Sequence, residues 1–538
     1  MTKNGITETI TNDYLNTLSL PCTKTPKEIE EELMNLVRDQ YALDNAVRPP
    51  WDRLKLPERL AAIQVAMLVK KLHHIVRVRS AGSCSDSRND LLAIYCDSGD
   101  NEGIYVTDDL AFSNIITEYN FTASTKEIEE VMACLRRLAP RMERCMDRDL
   151  VPVNNGIFNY DTKVLEPFSP DRIFLAKSRV NYNPNAVNVV IHNDEDGTDW
   201  DMESWMEELF DDKDITDLLW EILGAILRPY VRWNKSAWLY STSGNNGKGT
   251  LCELMRSLCG ADSYASIKLE DFGKDFALEP LVRAMAIIVD ENDVGTFIDK
   301  AANLKAVITN DVVSINRKFK VPISYQFFGF MVQCLNEFPR IKDKSDSFYR
   351  RQLFIPFEKC FTGRERKYIK TDYLHRPEVL EYVMYRVLSM RYYTLSEPES
   401  CREALEDFKE FNDPVRQFLD EMLPQLKWDL APFGFLYDLY KAWFRKNNPN
   451  GSVLGKTAFI TDVLGLLKPD HEWYCPGRSL SIRPRNHMDK PEPLIVEYGL
   501  QDWMDNVYAG SNPDRIARPI LKENYTGLLR LGVKDGDK

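Results

Sequence analysis

The sequence predicts an α/β fold, with a three-layer α/β core between a mixed α+β N-terminal region and a small C-terminal domain. Apolar strands and helices alternate from Lys235 to Phe357, the pattern of a three-layer domain. The 538 residues exceed what one hydrophobic core holds, so several domains are expected. We place them at residues 1–148, 149–234, 235–360, 361–412 and 413–538.

The composition is that of a globular protein, with 44% hydrophobic and 28% charged residues. No apolar run approaches the roughly 20 residues that a membrane-spanning helix needs. The N-terminus shows no signal-peptide core. The eleven cysteines form no Cys-x-x-Cys pair, which favours reduced thiols over a disulfide or zinc framework. We therefore expect a cytoplasmic protein with no membrane partner.

The first core strand, Ser236–Tyr240, runs into a glycine-rich loop and then a helix. Backbone amides of such a loop hold phosphate oxygens, and the helix N-terminus adds partial positive charge. Lys248 would reach the β- and γ-phosphates of ATP. The loop departs from the G-x-x-x-x-G-K-[ST] pattern at Thr242 and Gly249, so by itself it leaves a coincidental glycine loop open. It reads Gly244-Asn245-Asn246-Gly247-Lys248-Gly249-Thr250.

The second core strand, predicted over Ala284–Val289, ends in Asp290 and Glu291. ATP hydrolysis needs one carboxylate near Mg²⁺ and one that polarises the attacking water. Asp290 suits the first role and Glu291 the second. The loop and the acidic pair together favour an ATP site over a simple acidic turn.

Polar residues also flank the remaining predicted strands, Gly329–Cys334 and Gln352–Pro356. Asn336 follows the first of them and could orient the attacking water, although an ordinary Asn cap is the alternative. Arg350 and Arg351 precede the second. A guanidinium there could stabilise charge on the γ-phosphate in a neighbouring subunit's site. A surface arginine pair is the alternative.

The order of these segments resembles the phage and plasmid primase-helicase family, superfamily 3 AAA+ helicases related to the poxvirus primase-helicase. The resemblance covers residues 149–357, is weaker to about 467 and is slight before 149. It implies a P-loop AAA+ core in which Asn336 is the sensor and Arg351 the trans arginine finger, with Arg350 as the alternative. The cofactors would be ATP and Mg²⁺, the latter held by Thr250 and Asp290, although Gly249 leaves the hydroxyl ligand in question.

A DNA-binding role must be reconciled with a formal net charge of −13, because proteins that coat DNA are usually basic. In the resembled family, the region between Asp290 and Asn336 carries a hairpin that projects into the pore of a ring. Here Arg317, Lys318 and Lys320 would supply charge for phosphates, and Phe319 an apolar or stacking surface. A charged surface hairpin is the alternative.

Two C-terminal amphipathic helices, near Tyr437–Lys446 and Lys456–Leu467, resemble the winged-helix module that often follows this motor. Lys456 and Lys468 would face DNA. A purely structural lid is the alternative.

The resemblance implies an ATP-dependent DNA helicase. It would move along single-stranded DNA as a homohexamer, with other replication proteins as partners, and replicate a phage, plasmid or other mobile element in a bacterial cytoplasm. A bifunctional primase-helicase is an alternative, with Asp97 and Asp100 as the carboxylate pair for priming. A non-motor AAA+ switch is another. Residues 1–148 could form a collar, a DNA-binding domain or a docking site. The sequence leaves the direction of movement and the origin open.

Overall fold

The computed structural model describes residues 3–81, 89–318, 320–447, 453–467 and 472–531. The chain forms two compact units, which divide between Leu405 and Glu406. Both units combine helices with strands, which confirms the mixed α/β class. Within the described ranges, no helix is both long enough and apolar enough to cross a membrane.

The N-terminal part of the larger unit packs five helices against a four-stranded sheet. Its elements are α1 (Lys3–Thr17), α2 (Pro26–Val47), α3 (Ala62–Leu72), β1 (Ile75–Val78), β2 (Leu91–Tyr95), β3 (Tyr105–Val106), α4 (Asp109–Tyr119), α5 (Thr125–Leu138) and β4 (Arg141–Met142). The strand order is β3-β2-β1-β4. A capping box begins α2, because Thr25 and Glu28 each accept a hydrogen bond from the other's backbone N–H.

The next segment forms a meander of three antiparallel strands, a short hairpin and two helices. Its elements are β5 (Leu150–Val153), β6 (Gly156–Asn159), β7 (Val164–Glu166), β8 (Ile191–His192), β9 (Asp199–Trp200), α6 (Met202–Glu208) and α7 (Lys213–Leu227). Helix α7 is buried on nearly every side. Its apolar residues surround the helix, as expected for one inside a core.

The remainder of the larger unit is built on a parallel sheet. Its elements are β10 (Ser236–Tyr240), α8 (Lys248–Cys259), β11 (Tyr264–Ala265), β12 (Ala286–Val289), β13 (Phe297–Ile298), α9 (Ala301–Ile308), β14 (Val312–Arg317), β15 (Lys320–Gln326), β16 (Phe330–Leu335), β17 (Arg340–Ile341), α10 (Asp346–Tyr349), β18 (Gln352–Pro356), α11 (Lys367–Thr371) and α12 (Pro377–Ser389). The division between the two units falls within the next helix, α13 (Glu399–Asn412). The sheet has the order β11-β12-β16-β10-β18, and all its neighbouring strands are parallel.

The connections that follow β10 and β16 run in opposite directions along the sheet, which makes β10 a topological switch point. The chain leaves β10 toward β11 on one side, whereas β16 continues to β18 on the other side. In open parallel sheets, ligands bind outside the carboxyl ends of the strands at such a point. The glycine-rich loop, residues 241–247, follows β10 at this position.

One continuous hydrophobic core joins the meander, α7, the sheet, α8 and α12. The sequence predicts domain boundaries at 234/235 and 360/361, but the segments on both sides of each boundary pack into this one core. This packing fixes α6 and the segment around α11 beside the carboxyl edge of the sheet.

The smaller unit has its own hydrophobic core. Its elements are α14 (Pro414–Met422), β19 (Leu430–Pro432), α15 (Phe433–Asn447), α16 (Lys456–Leu466), β20 (Trp473–Tyr474), α17 (Leu494–Glu497), α18 (Pro513–Ile516) and β21 (Gly527–Arg530). The three strands form an antiparallel sheet in the order β19-β21-β20. Both predicted helices are confirmed: α15 buries Phe435, Leu439 and Trp443, and α16 buries Phe459 and Val463. Lys468 lies outside the described residues.

Candidate functional site

Lys248 lies buried at the switch point of the sheet. Its Nζ donates to the Leu335 carbonyl at 3.1 Å, to Asn336 Oδ1 at 3.1 Å and to the Ser241 carbonyl at 3.4 Å. Burial lowers the pKa of the Lys248 ammonium. The predicted lysine and the predicted sensor asparagine therefore meet, since β10 and β16 are neighbours in the sheet.

The loop before Lys248 turns sharply into α8. Gly247 has a φ of +89°, in the left-handed region, and a Cβ there would lie 2.8 Å from Leu209 Cδ2. The Asn246 side chain donates to the Ser243 carbonyl at 2.6 Å and closes the turn. The first backbone N–H groups of α8 have no acceptor within the helix, so this helix start can bind an anion.

Asp290 lies against the first turn of α8. A Cβ on Gly249 would lie 3.0 Å from Asp290 Oδ1, so the glycine lets this carboxylate approach the helix. Asp290 Oδ2 is 3.5 Å from Arg256 Nη1 and 4.0 Å from Lys370 Nζ. Carboxylate and hydroxyl oxygens, the groups that Asp290 and Thr250 carry, are the ligand type that Mg²⁺ prefers. Glu291 follows and is exposed.

A cavity of about 490 Å³ opens beside the loop, within the size range of small-molecule sites. Its wall combines aromatic and aliphatic side chains with several cations, among them Trp205, Leu209, Phe361, Ile369, Arg364, Arg366, Lys367 and Lys370. These residues were not predicted as site residues. They come from two segments far apart in the chain, and neither carries a recognisable motif.

The segment after β18 is attached to the loop through Asn245. The Asn245 carbonyl accepts from the Phe361 N–H at 2.7 Å. Its Nδ2 donates to Glu365 Oε1 at 3.1 Å and to Thr362 Oγ1 at 3.3 Å. Asn245 therefore joins the phosphate-loop candidate to the wall of the cavity.

Arg350 and Arg351 lie at the opposite edge of the sheet, before the amino end of β18. The intervening strand of five residues is about 15 Å long, so neither side chain reaches the loop of the same chain. Arg350 is exposed. Arg351 is half-buried, and its Nη1 donates to Ser347 Oγ at 2.7 Å.

The predicted basic segment forms a hairpin of β14 and β15, at whose end Arg317 pairs with Lys320. Lys320 Nζ lies 2.7 Å from the Asp109 carboxylate at the start of α4. Arg317 Nη2 donates to the Val321 carbonyl at 3.0 Å, and Lys318 is exposed. Phe319 lies outside the described residues. The three basic residues thus share one end of the hairpin.

The base of the hairpin is anchored in the larger unit. Arg144 donates through Nη1 to Tyr325 Oη at 2.6 Å and through Nη2 to the Gln326 carbonyl at 2.7 Å. Tyr325 is buried, which raises the pKa of its hydroxyl, and this hydroxyl donates to the Val282 carbonyl at 3.0 Å. These contacts fix the base of the hairpin to the larger unit.

Residues 105–211 match the family described as D5 N terminal like, and residues 410–472 match the family described as Poxvirus D5 protein-like. Both matches are to proteins of the poxvirus D5 kind, and they confirm the resemblance to the primase-helicase family that the sequence shows. Residues 239–351, which include Lys248, Asp290 and Asn336, also match a family of unknown function (DUF5906).

Two solved structures illustrate more distant likenesses. The apo C-terminal region of NrS-1 is 14% identical over 79% of this chain and 96% of that chain, with a TM-score of 0.42. A JCV helicase with a bound small molecule is 16% identical over 44% of this chain and 62% of that chain, with a TM-score of 0.25. At these TM-scores the likenesses carry no further argument.

Proposed function

We propose that this protein is an ATP-driven DNA helicase of the primase-helicase family, with a superfamily 3 AAA+ core and a C-terminal winged-helix-like domain. It acts as a homohexameric ring on single-stranded DNA. The observation that carries the proposal is the contact of Lys248 with Asn336 at the switch point, with Asp290 beside the same helix start. Opposed cationic and anionic groups at one helix N-terminus suit a metal-bound triphosphate.

In this proposal each predicted residue has a defined task toward ATP. Lys248 leaves its carbonyl acceptors and binds the β- and γ-phosphates, while Asn336 turns from Lys248 toward the attacking water. Glu291 polarises that water. Asp290 and Thr250 would hold Mg²⁺, which neutralises charge on the phosphates. The base and ribose occupy the neighbouring cavity against Trp205 and Ile369.

The placement of two groups of site residues at opposite edges of the sheet supports the proposal of a ring. The phosphate loop lies at the carboxyl edge, and Arg350 and Arg351 lie at the amino edge, so a complete site needs a second subunit. In a closed ring every subunit both receives and provides an arginine. The basic hairpin turns then line the pore, and the acidic remainder faces solvent, which accommodates DNA despite the net charge of −13.

The test is unwinding of a forked DNA duplex by the wild type and by Lys248→Ala, with and without ATP. ATP-dependent unwinding by the wild type and its loss in the variant support the motor. Robust ATP hydrolysis that is indifferent to DNA, without unwinding and without rings on an electron-microscope grid, would favour the non-motor switch instead.

Glu291→Gln should separate ATP binding from hydrolysis. The exposed carboxylate does not support the core, but its charge is needed to polarise water, so we expect hydrolysis to fall by about 10²–10⁴-fold. Binding of a fluorescent ATP analogue should stay close to that of the wild type. Asp293→Asn is the matched control, since Asp293 is an exposed acid in the same loop, ion-paired with Lys268 at 2.8 Å. Equal hydrolysis by both variants would contradict the role of Glu291.

Lys318→Ala should uncouple ATP hydrolysis from unwinding. The residue is exposed on the hairpin and does not line the cavity beside the loop, so basal hydrolysis should persist while unwinding is abolished. The plot of log affinity for single-stranded DNA against log salt should become shallower by about 0.7 for each phosphate that the hairpin no longer neutralises. Lys342→Ala, which removes an exposed lysine outside the hairpin, is the control. Unwinding that survives in Lys318→Ala would exclude the hairpin as the DNA-binding element.

A bifunctional primase-helicase remains the second candidate, because the family includes enzymes of that kind. Asp97 and Asp100 are exposed in the loop after β2. Within the described ranges, no cluster of three metal-binding side chains includes either of them. Primer synthesis on a bare template by the purified protein, abolished in Asp97→Asn, would establish this activity.

A further inference from the structure

Two buried cysteines lie directly beneath the proposed ATP site. Cys252 is on α8, two residues after Thr250, and Cys334 is on β16, two residues before Asn336. Their Sγ atoms are 3.3 Å apart. A carboxylate oxygen of Asp290 completes a group of three donors that all lie within 4.8 Å of one another. In the part of the chain that the structure describes, no other three His, Cys, Asp or Glu side chains come so close.

Two sulfurs and one carboxylate oxygen are ligands for a thiophilic cation rather than for Mg²⁺. Zinc binds cysteine sulfur at about 2.3 Å in a tetrahedron, which separates two sulfurs by about 3.8 Å. The present sulfur–sulfur distance needs an adjustment of only about 0.5 Å to match. Mg²⁺ takes oxygen ligands and would leave the thiols unused. Three protein ligands leave the fourth position open for water or a phosphate oxygen.

We propose that Cys252, Cys334 and Asp290 form a site for a thiophilic divalent cation, Zn²⁺ or Cd²⁺, which takes Asp290 away from Mg²⁺ and stops ATP hydrolysis. The cation enters from the nucleotide side, where the Asp290 side chain is 35% exposed. It replaces Arg256 and Lys370 as the positive partner of this carboxylate. The inhibition rests on the proposed function, whereas the metal site itself does not.

The site is tested by titrating Co²⁺ into the reduced, nucleotide-free full chain and recording the cobalt–thiolate absorption. The variants are Cys252→Ser and Cys334→Ser. The control is Cys259→Ser, which alters a buried cysteine on the same helix. We expect the wild type and the control to bind one Co²⁺ that Zn²⁺ displaces. Each site variant should bind Co²⁺ more than about tenfold more weakly than the wild type. Substitutions outside the ligand shell already reduce metal affinity by about that factor.

Equal cobalt absorption in all four proteins, or none in any, overturns the site. If a serine variant is unfolded by circular dichroism, the alanine variant at the same position replaces it in the same titration.

Zinc titrated into saturating Mg·ATP tests the inhibition. Hydrolysis by the wild type and Cys259→Ser should fall as the site fills, and Cys252→Ser should be resistant. Equal inhibition of Cys252→Ser overturns the regulatory role. Absence of ATP hydrolysis in every protein overturns the proposed function, while the cobalt titration still decides the metal site.

Discussion

Replacement of Arg351, or of its neighbour Arg350, is expected to reduce DNA-stimulated ATP hydrolysis by about 10³–10⁵-fold, the contribution of an arginine that stabilises the transferring phosphoryl group. In the proposed ring this effect is intersubunit. Both arginines lie at the amino edge of the sheet, about 15 Å from the loop of their own subunit. Whichever of the two acts would therefore complete the site of a neighbour. Steady-state hydrolysis by Arg350→Ala and Arg351→Ala identifies which one acts.

Mixed rings test the intersubunit role directly. Lys248→Ala retains its arginines, and Arg351→Ala retains its phosphate loop, so an interface between the two can contain one intact site. Random co-assembly makes about a quarter of the interfaces complete. We expect a mixture of the two inactive variants to recover up to about that fraction of wild-type hydrolysis. The same mixture with Arg350→Ala is run in parallel. A mixture as inactive as its components would contradict an arginine supplied in trans.

Lys248→Ala is expected to lower ATP hydrolysis by about 10²–10³-fold, as for the loss of one preorganised donor to a developing negative charge. It should also weaken ATP binding, because the lysine is the cation at the bottom of the loop. DNA-stimulated hydrolysis and fluorescent ATP binding measure the two effects. Lys274→Ala is the control, since Lys274 is an exposed lysine of the same unit, paired with Glu270 at 2.7 Å.

Loss of activity in Lys248→Ala should not reflect unfolding. Burial lowers the pKa of Lys248, so at neutral pH the folded state disfavours its charged form relative to the unfolded chain. Removal of the ammonium relieves the free-energy cost of burying its charge. The oxygens that accepted its hydrogen bonds are left unpaired, which lowers the stability by about 1 kcal/mol each. We expect the free energy of unfolding to change little. A fall in thermal midpoint that accounts for the missing activity would contradict this assignment.

The central strands could be predicted because a strand buried on both faces leaves a continuous apolar run. Ser236–Tyr240 and Gln352–Pro356 were predicted with the bounds that the structure has. The strands before Asp290 and Asn336 are displaced by one or two residues from the prediction, within the usual uncertainty of strand ends. The glycine loop and the polar residues after the strands were local features as well.

The sequence by itself thus determined which residues end each strand and which chemistry they offer. The strand order was decided only by tertiary packing. That order brings Lys248 within 3.1 Å of Asn336, 88 residues away, and moves Arg351 to the opposite edge. Packing likewise assembled the cavity between α6 and α11 and brought Cys252 to Cys334. Local sequence patterns predict only contacts between residues close in the chain. These contacts depend instead on how apolar faces far apart in the chain pack into one core.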